Sequence, residues 1–238
     1  MNTLSIQLIC LLAFTFFIVC FRMLGLGFKV FGSGIAVIIL VWLVSASFAL
    51  LGFIKLASSG NLASLSVGGT IASVMALCFV AWLGFTVVQG ARVPPIHNIS
   101  TDVVNPPAFE KISALRAATH NPLEYTTAIA QQQQQHYGHI QPLSLNAKPL
   151  QVFDKALVVV DQLGWQLQSQ NAKTTVIEAS VSSGIFGFVD DVVIRIQAKG
   201  DGSIVDMRSV SRVGQSDFGA NAKRIERFLA LIAAQMAN

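Results

Sequence analysis

All 12 acidic residues of this 238-residue chain lie at Asp102 or later. The residues before them hold only four basic ones, Arg22, Lys29, Lys55 and Arg92. A soluble domain carries charge at about a quarter of its positions, and the first part of this chain has nothing of the kind. It has instead three long apolar stretches, at about residues 4–21, 35–57 and 67–89, with Lys55 the one charge inside them. About 20 apolar residues cross a bilayer, so the pattern predicts three transmembrane helices in a region 1–92. A Pro-rich arm with short helices follows at 93–138, and an α+β domain at 139–238. A purely soluble protein is excluded, and so is long disorder, which needs low hydrophobicity and high net charge. The first stretch is the shortest and has the length of a secretory leader. No Lys or Arg precedes it, however, and no small-residue cleavage site follows Phe21, so it reads as a retained span.

From Asp102 onward the chain carries 12 basic and 12 acidic residues, so the formal +4 belongs entirely to the four residues beside the apolar stretches. Such charges set topology. They are not the basic patch on a folded domain that nucleic acid requires, and nucleic acid is not an expected partner. The expected partners are the lipid bilayer and a membrane protein. The positive-inside rule prefers, by about one charge, the orientation that leaves the later domain in the cytoplasm. No predicted span carries an internal Asp, Glu, His or Arg that would mark an ion or proton path. Ser45/Ala49 and Ala72/Ala76 read as helix-packing contacts. Cys10, Cys20 and Cys78 all lie in apolar stretches, which leaves the later domain without a disulfide or zinc framework.

The arm holds two Pro-Pro pairs, Pro94-Pro95 and Pro106-Pro107, which impose extended backbone. Asn98-Ile99-Ser100 fits a glycosylation sequon by pattern. Phe109–Ala118 predicts a helical turn, and Thr126–Tyr137, with five consecutive glutamines, predicts a short exposed helix closed by Gly138. The compact domain opens with a strand over Ile140–Leu145. Apolar residues at helical spacing over Pro149–Leu163 predict a helix stopped by Gly164. Alternating runs then predict four strands, starting at Trp165, Val176, Asp191 and Ser203, and a closing helix over Ser216–Ala237. The fold class is membrane plus α+β. The expected domain is a four-to-five-stranded antiparallel sheet with two helices on one face, in the order β-α-β-β-β-β-α.

The runs IHNISTD, NPPAF, FGFVDDVVIRI and VDMRSVSRVGQSDFGANAKRI resemble the family catalogued as domain of unknown function 1499, from Pro94 to the carboxyl end. The resemblance implies no activity. It does imply an envelope protein, since some members have three spans ahead of the domain and others a lipoprotein or secretory leader. That points to a bacterial inner-membrane protein with an extracytoplasmic domain.

Chemistry is sparse. Gly214-Gln215-Ser216-Asp217-Phe218 lacks one glycine of a nucleophile elbow and has no buried strand before it. Ser216, Asp217 and Asn221 therefore read as the capped start of the last helix. His97, His120, His136 and His139 form no metal-binding spacing, and no metal or cofactor is implied. What remains is Asp190, Asp191, Arg195, Asp206, Arg208, Arg212, Asp217, Asn221 and Arg224. They form either an ion-pair lattice across the sheet or an anion-binding face made by Arg195, Arg208, Arg212, Asp191 and Asp206. An Asp201-Gly202 turn would pair Gly200 with Ser203. It would then set Arg195 opposite Arg208, Asp191 opposite Arg212 and Gln197 opposite Asp206, with Ser209 and Ser211 turned toward the helices. Two opposed guanidiniums would invite a phosphate or carboxylate. The expected function is a membrane-anchored envelope module that binds an anionic ligand or a partner. The alternative is an enzyme acting on an envelope substrate, with Asp190, Asp191 or Asp206 as carboxylate base.

Overall fold

The computed structural model describes residues 93–183 and 187–237, together with nine single positions between 43 and 88. The chain divides into two compact units, Met1–Gly90 and Ala91–Asn238. Apart from the nine positions, each of them helical, the apolar stretches at 4–21, 35–57 and 67–89 lie outside the described residues. Among the described residues no helix is long and apolar enough to cross a membrane. Val74, Cys78, Ala81, Trp82, Phe85 and Val88 are helical and exposed.

The second unit is an α+β domain. Its order is β1 (Asn98–Ser100), α1 (Lys111–Leu115), α2 (Thr127–Tyr137), β2 (Leu143–Leu145), α3 (Pro149–Gln162), β3 (Gln166–Asn171), β4 (Val176–Ser182), β5 (Val189–Lys199), β6 (Gly202–Ser211) and α4 (Ala220–Ala237). From β2 onward this is the expected β-α-β-β-β-β-α. The sheet is antiparallel, in the order β1-β6-β5-β4-β3, with β2 also paired to β6. It has six strands where four to five were expected, because the arm supplies β1. That strand is three residues long and closely follows two prolines, too short to show an alternation.

Amphipathicity explains the assembly. α3 buries Val152, Phe153, Ala156, Val159 and Val160, and α4 buries Ala222, Ile225, Phe228 and Ile232. Each set is a single helical stripe that must meet apolar surface. Ile177 and Ala179 of β4, Val192, Ile194 and Ile196 of β5, and Val205 and Met207 of β6 supply it, joining both helices in one core. Trp165 stacks on Phe228 with ring centres 5.7 Å apart. The opposite face of the sheet carries Glu178, Ser180, Asp191, Arg195, Asp206 and Arg208, which alternate with the core residues. The arm and α1 lie over that face, so both faces are covered.

The β5–β6 hairpin corrects the expected register. Lys199 pairs with Gly202, Arg195 with Asp206 and Val193 with Arg208. The turn is therefore Gly200-Asp201, with Gly200 at φ +58°, and Arg195 does not face Arg208. Two causes act together. Glycine takes the left-handed position more readily than aspartate. Gly202 is also required elsewhere, because a Cβ there would lie 2.2 Å from the Leu145 carbonyl oxygen of β2. The displacement is two residues, so each side chain keeps its expected face.

Candidate functional site

The charged face consists of three clusters, each joining the sheet to the arm. Asp191 lies at the centre of the first. Its carboxylate accepts from Arg116 Nη1 at 2.5 Å, Arg212 Nη2 at 2.8 Å, Arg212 Nε at 2.9 Å and the Ser180 hydroxyl at 2.8 Å. Asp191 and Arg212 are not direct strand partners as expected, but they meet as diagonal neighbours. Arg116 comes from the arm, also donates to the Asn121 carbonyl at 2.6 Å, and has its pKa lowered by burial.

In the second cluster Arg195 donates to Asp206 at 2.9 Å, to Asp102 at 3.1 Å and to the Asn105 carbonyl at 3.0 Å. The Thr101 hydroxyl gives Asp206 a further bond at 3.2 Å. The third holds Arg208, which donates to Asn98 Oδ1 at 3.0 Å, to the Pro107 carbonyl at 3.1 Å and to the Leu123 carbonyl. Its guanidinium sits 5.4 Å from the ring centre of Phe109 and 5.6 Å from that of Tyr125. The hydrogen-bond acceptors of this buried cation are an amide and two carbonyls, with aromatic faces beside it. Desolvation lowers its pKa to about 10. Glu178 is the converse case. Its carboxylate accepts from the backbone N–H groups of Glu110, Lys111 and Ile112 at 2.8, 3.1 and 2.7 Å, at the start of α1. The expected anion-binding set of Arg195, Arg208, Arg212, Asp191 and Asp206 is thus brought onto one face, with the arm folded over it.

The arm's own edge is closed as well. The Gln133 side chain, from α2, donates to the Ser100 carbonyl at 2.6 Å and accepts from the Ser100 N–H at 2.9 Å, as a neighbouring strand would. The glutamine run is therefore not exposed throughout, since Gln133 is buried. Asn98 of the sequon is fully buried as well, which removes it as a glycosylation acceptor in the folded domain.

At the start of α4 the three expected residues hold a turn. Ser216 Oγ accepts from the Phe218 N–H at 3.3 Å. The two Asp217 oxygens accept from Gly219 and Asn221 N–H groups, each at 2.8 Å. Burial raises the Asp217 pKa. Asn221 turns inward, accepts from the Ser209 hydroxyl at 2.6 Å and donates to the Ser211 hydroxyl at 3.0 Å. Arg224 bridges Ser209 at 2.9 Å and Asp190 at 2.6 Å. This buried polar network is why two serines of β6 point toward a helix.

Sequence reasoning missed Arg116, Asp102, Tyr125 and Gln133, all of them in the arm or α2. Away from the charged face, an open groove of about 1030 Å³ is lined by Lys148, Leu150, Lys173, Thr175, Ile196 and Gln197.

No curated protein matches the chain. Among solved structures it is similar to the crystal structure of Ara h 8.0201, at 11% identity, over 41% of this chain and 95% of that one. The TM-score is 0.33, a likeness too partial to carry an inference. Residues 98–232 match the family described as protein of unknown function DUF1499. That match runs from β1, inside the arm, into α4, and takes in the arm-covered charged face, Gln133 and the capped start of α4. The chain belongs to the DUF1499 family.

Proposed function

We propose that this chain is a membrane-anchored envelope protein whose extracytoplasmic domain works by association with a partner and not by catalysis. One observation carries the reading: of the carboxylates an Asp/Arg active site would use, Asp191 and Asp206 hold the arm in place and Asp190 is paired with Arg224 of α4. Asp191 is 0% exposed and Asp206 2% exposed. A general base must come within hydrogen-bond reach of a substrate proton, and the arm stands in the way. Anchoring is supported by the three apolar stretches of the sequence. The extracytoplasmic side is supported by the envelope character that the sequence resemblance implies.

An anionic ligand is the second reading. The observation that favours it is the open groove, where Lys148 and Lys173 flank Leu150 and Thr175. Thermal unfolding of the full chain in mild detergent separates the readings. Under the first, sulfate and phosphate raise the Tm no more than chloride at equal ionic strength, and a stoichiometric protein partner co-purifies. A sulfate-dependent rise abolished by Lys148→Ala with Lys173→Ala would move the function to the groove. A rise abolished by Arg195→Ala would restore the Arg face as an anion site.

A further inference from the structure

The two ends of the sheet are finished differently. At one end the side chain of Gln133 closes β1. At the other, among the described residues, β3 pairs with β4 alone. Its six residues, Gln166–Asn171, hold no charge and no proline. Natural sheets blunt such an edge with lysine, proline, a bulge or a covering element, and β3 has only a bulge, at Gln168. The ladder fixes which backbone groups point outward. The Ile196 N–H donates to the Thr175 carbonyl, so every second pair from there, Ile177–Ile194 and Ala179–Val192, exchanges bonds between β4 and β5. Val176, Glu178 and Ser180 therefore turn their backbone groups toward Asn171, Ser169 and Gln166 of β3. Leu167 and Gln170 are left facing away, and among the described residues no hydrogen bond reaches their backbone groups.

We propose that β3 pairs antiparallel with β3 of a second copy, joining two domains in one continuous sheet about a two-fold axis. This deepens the reading of the domain as an association module and rests on it, with a second copy as the partner. The bulge favours that occupant. It sets the two outward positions, Leu167 and Gln170, three residues apart where a regular strand has two. A regular strand meets β3 with one residue left over, as β4 does. A second copy meets it residue for residue: Leu167 opposite Gln170, Gln168 opposite Ser169 and Gln166 opposite Asn171, each contact made twice by the symmetry. Charge agrees. The strand is uncharged, and the flanking Lys173 falls opposite Gly164, so no like charges meet. Leu167 is 44% exposed although its strand neighbour Ala179 is fully buried, and the paired copy would cover it.

The test uses the full chain in density-matched mild detergent, with mass read by sedimentation equilibrium. Three forms are compared: the parent, Leu167→Glu with Gln170→Glu, and Leu167→Lys with Gln170→Glu. Both positions are exposed, and thermal melts confirm that each form is folded. In the proposed register the first double variant opposes glutamate to glutamate twice, and the second opposes lysine to glutamate twice. The parent is expected to dimerise. The double-glutamate form is expected to show a dissociation constant roughly tenfold higher, and the lysine–glutamate form to return to the parent value or below it. Amide exchange at Leu167 and Gln170 is expected to slow as the parent dimerises. Three dimers of equal strength place the contact elsewhere and overturn the β3 pairing, leaving the association reading intact. Slow exchange at both amides in a monomeric parent means that the chain closes its own edge, and also overturns it. A monomeric parent with fast exchange overturns it too; the association reading then stands if a different protein co-purifies in stoichiometric amount and falls if none does.

Discussion

At the scale of single residues, the domain places its most expensive groups where they join segments distant in sequence. Arg208 reaches Asn98, Pro107 and Leu123 with three separate nitrogens. Lysine keeps the charge but has one nitrogen and no plane to set against Phe109 and Tyr125. Arg208→Lys is therefore expected to lower unfolding free energy by roughly 3 kcal/mol, because it leaves buried acceptors unpaired. Urea unfolding of the full chain in detergent measures it. His97 gives a pH dependence. Burial lowers its pKa below 6.5, so the unfolded chain takes up a proton that the folded domain resists. Its contribution to stability is complete above the unfolded value and is lost as pH falls through about 6.5 toward the lower folded value. His97→Gln is expected to flatten the fall in Tm between about pH 7.5 and 5.5 relative to the parent, as read by thermal melts in matched buffers.

At the scale of elements, the free edge of β1 is the weak place, since unpaired backbone there would be a template for another strand. Gln133 closes it with a side-chain amide. Gln133→Ala is expected to destabilise by roughly 2–4 kcal/mol and raise aggregation on heating. Gln132→Ala and Gln134→Ala, at exposed neighbours, should stay within about 0.5 kcal/mol, and light scattering during the melt separates the three. Nothing in a run of five glutamines marks the third as special; that depends on where β1 passes, which no local pattern records. α3 was legible because its apolar spacing and Gly164 are local signals. The faces of β5 and β6 were legible because alternation survives a two-residue displacement. The register was not, because Gly202 answers to β2, more than fifty residues upstream in the chain. Arg116 and Asp102 were illegible for the same reason: their partners lie on strands that only the folded sheet brings near.

At the scale of the whole molecule, the charged face holds together a domain whose first strand lies beside its last. The orientation of that domain is open to direct measurement. A reporter active only outside the cytoplasm, fused after Asn238, is expected to be active. Activity only from a cytoplasmic reporter would reverse the orientation and leave the fold untouched. The pairing of β1 with β6 also bears on how the chain is made. Arg208 and Asn98 are 110 residues apart, and Met207 and Thr101 are 106 apart. Loop closure over such a distance is slow, and synthesis delivers the amino-terminal partner first. The arm leaves the ribosome with its buried asparagine and its row of backbone donors uncovered, and stays so until nearly the last residue of β6 has been added. Over that interval Asn98 of the sequon is an accessible acceptor, and the unpaired strand is open to a chaperone. Both chances end when the hairpin closes.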